Sequence, residues 1–206
     1  MTTLILASAS PARLDLLRAS GIDPAVVVSE VDEDAVEVEA RRLDPGLSPA
    51  TLAQVLAEAK GAAVRHRLTA DDRLVLACDS VLEIDGTVHG KPGTVEVARR
   101  RWQDLRGGTG VLHTGHWLVD PVSDHGVGAT ASATVHFADI TDEELEGYLA
   151  TGEPLHVAGG FTLDRIGAPF VESIEGHPST VVGLCLPLLR RLLADLGVGW
   201  WDIASA

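Results

Sequence analysis

Residues 74–84 read LVLACDSVLEI, and how this run is read decides the fold. It is too apolar to leave both faces in water, which predicts a buried strand. Asp85-Gly86 follows as a two-residue hairpin signal, with TVHGKP at 87–92 as the returning chain. Upstream, LIL gives way to ASAS and then to Pro11, and the spacing predicts a short strand, an N-cap at Ser10 and a helix that stops at Gly21. AVVV at 25–28 is a second strand that runs into the acidic cluster SEVDED. Ser48 and Pro49 open another helix, with Leu52, Val55, Leu56, Ala59 and Ala63 as its apolar stripe. Lys60 falls on the stripe's edge, about 40° around from Leu56, so it points along the protein body rather than straight into solvent.

Downstream, TVEVARRRWQDLRG predicts a helix, and VLHTGHWLV with ATASATVHF predicts an antiparallel pair of strands. Thr141 and Glu144 form a capping box for a helix that ends near Gly152. LCLPLLRRLLADLG closes the chain as a helix with Pro187 in its first turn. Strands alternating with helices imply an α/β architecture. With no repeat, low-complexity tract or linker in 206 residues, the expectation is one domain over residues 1–206.

Thirty acidic residues against sixteen basic ones give a formal charge of −14, which excludes a nucleic-acid polymer as the expected partner. A small polyanion can still bind where a few cations converge. The N-terminus lacks a signal-peptide layout and Leu4–Ala7 is too short to span a bilayer, so the expected location is the cytoplasm, with no membrane contact. Cys78 and Cys185 read as buried free thiols.

Only two of the sixteen basic residues are lysines, Lys60 and Lys91, in a chain that otherwise uses arginine. An ammonium is a compact, mobile charge where a guanidinium is a planar fork, so both positions merit a chemical reading. Asp79 sits inside the apolar strand, where a carboxylate is costly unless a cation, metal or proton compensates. Glu33 belongs to an acidic patch of the kind that holds magnesium through one or two carboxylates. A strand that ends in Ser8 and Ser10 and opens a helix presents unpaired N–H groups suited to an anion. The GKP at 90–92 does not fit a phosphate-binding loop, because Pro92 stands where a metal-holding Ser or Thr is required. No dinucleotide-binding glycine fingerprint occurs, and His113 and His116 extend into no metal-ligand pattern.

Taken together, LASASPAR, the VDE ending at Glu33, LAEAK, ACDSVLEIDG, GKP, GEPLHVAGGFTL and VVGLCLPLL resemble the Maf family of nucleoside triphosphate pyrophosphatases. The motifs run from residue 4 to about residue 190 in the family's order. The resemblance implies an elongated central mixed sheet flanked by helices, two lobes around a cleft, and a homodimer. It implies hydrolysis of a nucleoside triphosphate to monophosphate and pyrophosphate with a divalent cation, Mg2+ or Mn2+. By the same resemblance Ser8, Ser10 and Arg13 belong to the triphosphate cradle, Glu33 and Asp79 hold the metal, and Asp79 accepts a proton. Lys60 and Lys91 then meet phosphate oxygens. Three positions depart from the family pattern: Ala12 replaces an arginine, while Ser80 and Asp164 stand where pyrimidine-specific members carry Thr and Gln. These positions correspond to ones with which the family selects the base, and Asp164 suggests guanine-type substrates. The alternative expectation is a nucleotide-sensing regulator of cell division without catalysis.

Overall fold

A computed structural model describes residues 4–68 and 73–205. Its centre is β3 (Leu74–Ile84), the strand expected from LVLACDSVLEI, with residues 74–79 all buried. Parallel to it lies β1 (Leu4–Leu6), and β2 (Ala25–Val26) adds outside β1, shorter than the four residues the sequence suggests. On the other side the sheet is antiparallel through β5 (Thr109–Asp120), β6 (His125–Phe137) and β7 (Val171–Glu175). The hairpin strand β4 (Thr87–His89) pairs with β3, completing a mixed seven-stranded sheet in the order β2-β1-β3-β5-β6-β7. Asp85 and Gly86 both take positive φ, as a tight two-residue hairpin requires.

The helices are α1 (Pro11–Ala19), α2 (Glu33–Leu43), α3 (Pro49–Arg67), α4 (Val95–Leu105), α5 (Asp142–Ala150), α6 (Pro178–Val182) and α7 (Leu186–Asp195). The caps expected at Ser10, Ser48 and Thr141 are present, and the Thr141–Glu144 box is complete. The buried face of α3 differs from the expected stripe. It consists of Leu52, Ala53, Leu56, Ala57, Lys60, Gly61 and Val64, while Val55, Ala59 and Ala63 are only half-buried. Ala53, Ala57 and Gly61 on that face let the helix lie close to the sheet.

The core divides along the sheet. Near the parallel end, Leu4, Leu6, Leu76 and Cys78 pack with Leu17 of α1 and Leu189 and Leu193 of α7, and Ile5, Val75 and Ala77 pack on the opposite face with Val64 of α3. At the far end, Leu82, Leu112, Val135 and Phe137 pack with Trp102 and Leu105 of α4 and Tyr148 of α5. The two regions meet at Asp79 and Ser80, the polar interruption in β3, and the cleft lies there. Cys78 and Cys185 are free and buried, as expected. Among the described residues no helix is long and apolar enough to cross a membrane.

Candidate active site

Successive side chains of a strand point to opposite faces, so Asp79 and Ser80 carry β3's polar groups to both sides of the sheet. Asp79 meets Lys60 of α3, and Ser80 meets Arg13 of α1. The approach of α3 depends on glycine. Gly115 pairs with Asp79 across β3 and β5, and a Cβ there would lie 2.2 Å from the Ala53 carbonyl oxygen. A Cβ on Gly61 would lie 2.4 Å from the Trp117 ring. The helix backbone therefore rests directly on β5, and Lys60, about two turns beyond Ala53, is carried to Asp79.

Lys60 bridges two carboxylates. Its Nζ donates to Oδ1 of Asp79 and lies 2.8 Å from Oε1 of Glu33 at the start of α2. Burial pushes the Asp79 pKa above its ordinary value, although the charges of Lys60 and Arg13 and the Lys60 hydrogen bond pull against it. Burial also acts upward on Glu33, but there the hydrogen bond and charge of Lys60, with the charges of Lys91 and Arg13, prevail and the net shift is downward. The surroundings thus act on the two carboxylates in opposite directions, toward the protonated form at Asp79 and toward the ionised form at Glu33.

Across the cleft, Arg13 is buried and largely committed to the protein. Its Nη1 donates to Ser8 Oγ at 3.1 Å, Nε to the Gly183 carbonyl at 2.7 Å and Nη2 to Ser80 Oγ at 3.0 Å. Ser80 Oγ is 2.9 Å from Thr114 Oγ1, which itself donates to the Thr180 carbonyl at 2.9 Å. With the Thr114 proton spent there, Ser80 must donate to Thr114 and accept from Arg13, so the chain of hydroxyls has one direction. The serines at the helix start are also engaged. Ser8 Oγ accepts from the Ser10 N–H, and Ser10 Oγ caps the Arg13 N–H.

A cleft of about 1000 Å³ gathers every sequence-predicted position. Ser8, Ser10, Ala12 and Arg13 line its α1 side, Glu33, Lys60, Asp79 and Ser80 its floor, and Lys91 and Asp164 the remaining wall. Lys91 is exposed in the cleft, whereas Lys60 is buried as well as cleft-lining. Asp164 is exposed, and neighbouring Arg165 pairs with Asp15 of α1 at 3.4 Å instead.

Glu153, which sequence reasoning missed, also lines the cleft. Its carboxylate accepts from Tyr148 Oη at 3.0 Å, Thr162 Oγ1 at 2.6 Å and the Gly167 N–H at 3.0 Å, pinning the segment that carries Asp164. Its position after Gly152 in GEP was the available signal. Thr114 and Gly183 were missed as well; no local pattern marks a strand threonine whose partner lies on another element.

The donor set fits a hard cation. Glu33 and Asp79 offer carboxylate oxygens, and among the described residues no group of three or more His, Cys, Asp or Glu side chains forms a cage. Magnesium with one or two protein carboxylates draws its other ligands from phosphate oxygens and water.

Comparison with known proteins places the chain among relatives of known name. The chain is 52% identical over 205 residues to a nucleoside triphosphate pyrophosphatase of Leifsonia xyli subsp. xyli, spanning 97% of this chain and 95% of that one. It is 52% identical over 196 residues to one of Streptomyces coelicolor, covering 95% and 91% of the two chains. With one of Nocardia farcinica it shares 54% identity over 204 residues, covering 96% and 94%. A family model described as Maf-like protein matches residues 3–196, and the chain belongs to that family.

Proposed function

We propose that the cleft hydrolyses a nucleoside triphosphate between its α and β phosphates, giving the monophosphate and pyrophosphate. Family membership and relatives named nucleoside triphosphate pyrophosphatases support the reaction. The observation that carries the site is that both lysines of the chain, the Lys60-bridged carboxylates and the start of α1 line one cleft.

Breaking a phosphoanhydride needs a prepared water and a stabilised leaving group. Asp79, its basicity raised by burial, accepts the proton of the attacking water. Lys91 and Lys60 offset the charge that grows on the departing pyrophosphate, and Arg13, held rigid by Ser8, Ser80 and Gly183, offers its remaining N–H groups to a phosphate. Glu33 and Asp79 would hold Mg2+ or Mn2+, which when bound stabilises charge on phosphate oxygens. Ala12, Ser80 and Asp164 line the cleft and are assigned to the base. A homodimer in the cytoplasm completes the reading, on the strength of the family alone; size-exclusion chromatography with light scattering tests the dimer.

Purified protein incubated with each nucleoside triphosphate, with and without Mg2+ or Mn2+, tests the function. Monophosphate and pyrophosphate in equal amounts support it. Diphosphate and phosphate as products contradict it, and no turnover with any substrate contradicts it and favours the sensor reading.

A further inference from the structure

The loop that carries Lys91 is held from behind by α4. Arg101 is 8% exposed, and its Nη1 donates to the Gly90 carbonyl at 2.5 Å. The Gly159 N–H donates to the same carbonyl at 3.3 Å, and the Gly93 N–H donates to the Leu155 carbonyl at 3.0 Å. The next residue of α4, Trp102, donates from Nε1 to the Gly160 carbonyl at 2.8 Å. Gly90-Lys91-Pro92 is thereby fixed between α4 and the 3-10 turns Glu153–His156 and Ala158–Gly160, with Gly90 and Lys91 facing the cleft.

Arg101 is a costly residue for that place. Among the described residues no carboxylate forms an ion pair with it, and its buried Nε has no hydrogen-bond partner. Burial pulls its pKa below the ordinary guanidinium value, with no opposing charge to restore it. A side chain needed only for packing would be cheaper without the charge, since burying an unpaired cation is among the most unfavourable substitutions in a core. What the guanidinium adds is a charge-assisted bond to the carbonyl that immediately precedes Lys91, and a carbonyl so held fixes the direction in which the next residue leaves the chain.

We propose that Arg101 is a positioning residue for Lys91, holding the Gly90 carbonyl so that the Lys91 ammonium stands where the phosphates bind. The inference rests on the reading of Lys91 as a phosphate contact.

The test is a double-mutant cycle in the full-length protein, comparing Lys91→Ala, Arg101→Met and the pair. Melting temperature, kcat, KM and inhibition by inorganic pyrophosphate are measured for each. Arg101→Met is expected to lower kcat/KM by about tenfold to a hundredfold, as a displaced cation would. It is also expected to weaken pyrophosphate inhibition, which a smaller folded fraction does not change. In the Lys91→Ala background the same substitution should cost less than about twofold, because contacting groups are non-additive. Arg101→Lys, which keeps a donor and a charge, should recover most of the activity, and Arg101→Gln, which loses the charge and the reach, replaces Arg101→Met in the cycle if that variant does not fold. Additive losses overturn the inference while leaving Lys91's role standing. Wild-type kinetics in Arg101→Met overturn it likewise. A silent Lys91→Ala removes Lys91 from the phosphate site and the inference with it.

Discussion

Asp79→Asn keeps the shape of the side chain and removes the charge to which the proposed mechanism assigns proton transfer and cation binding. It should fold and lose roughly a hundredfold to ten-thousandfold in pyrophosphate release, the range typical of general acid-base groups; turnover within a few-fold of wild type would remove Asp79 from the mechanism. Lys60 carries a second burden, because its ammonium is buried between two carboxylates. Lys60→Ala should therefore lower both activity and stability, the latter by about 3 kcal/mol in denaturant titration, with part of the loss recovered when Asp79→Asn is added. Lys91, exposed in the cleft, should lose activity on truncation to alanine with little change in melting temperature. Asp164 accepts hydrogen bonds only, so adjacent N–H donors of guanine suit it better than the carbonyls of uracil or thymine. Guanine-type triphosphates should have the higher kcat/KM, and Asp164→Gln should narrow the gap by about tenfold; a wild-type preference for UTP or dTTP would contradict this. Asp79 and the two lysines stood out because each is an unusual residue in its local context, whereas Glu33, one of several acids in SEVDED, was singled out by the resemblance. Thr114, Glu153 and Arg101 were not, because their roles consist of bonds to groups on other elements.

Elements were legible where one periodicity ruled. The continuous apolarity of β3, the capped start of α1 and the Thr141–Glu144 box all carry their signal within a few residues. Helix α2 does not: its sequence EDAVEVEARRL buries no residue fully, and its helicity rests on the Asp32 cap, first-turn acids and last-turn arginines. β7 and the 3-10 turns at Glu153–His156 and Ala158–Gly160 take their form from backbone bonds to distant segments, which no short window records. Leu52 and Leu56 of the expected α3 stripe are buried, and the remainder was misplaced because Ala53, Ala57 and Gly61, weak hydrophobic signals, share the face that touches the sheet. That close contact is testable. Gly115→Ala puts a methyl group against the Ala53 backbone, so it should push α3 away and separate Lys60 from Asp79. A stability loss on the order of 3 kcal/mol, together with a fall in kcat in the fraction that remains folded, is expected; unchanged kcat would show that the seating of α3 does not set the site.

Over the whole molecule, a protein of charge −14 places Arg13, Lys60, Lys91 and Arg165 on one cleft between two apolar cores. His116 ties the antiparallel part of the sheet to the last helix, accepting the Cys185 N–H on Nε2 at 2.8 Å while Nδ1 faces the Thr114 carbonyl at 3.0 Å. Burial, aided by the charge of Arg13, lowers its pKa from 6.5 to about 4. The unfolded chain then binds the proton that the native state refuses, so this contribution is whole above about pH 6.5 and is lost as pH falls to about 4, amounting to roughly 3 kcal/mol. Urea titrations across that window should show it, and His116→Gln should flatten the slope. The central claim, that water prepared beside Asp79 attacks the α phosphorus, is tested most directly by running the hydrolysis in heavy-oxygen water and weighing the products by mass spectrometry. The account predicts one heavy oxygen in the nucleoside monophosphate and none in the pyrophosphate; label in the pyrophosphate would place the attack on the β phosphorus and contradict it.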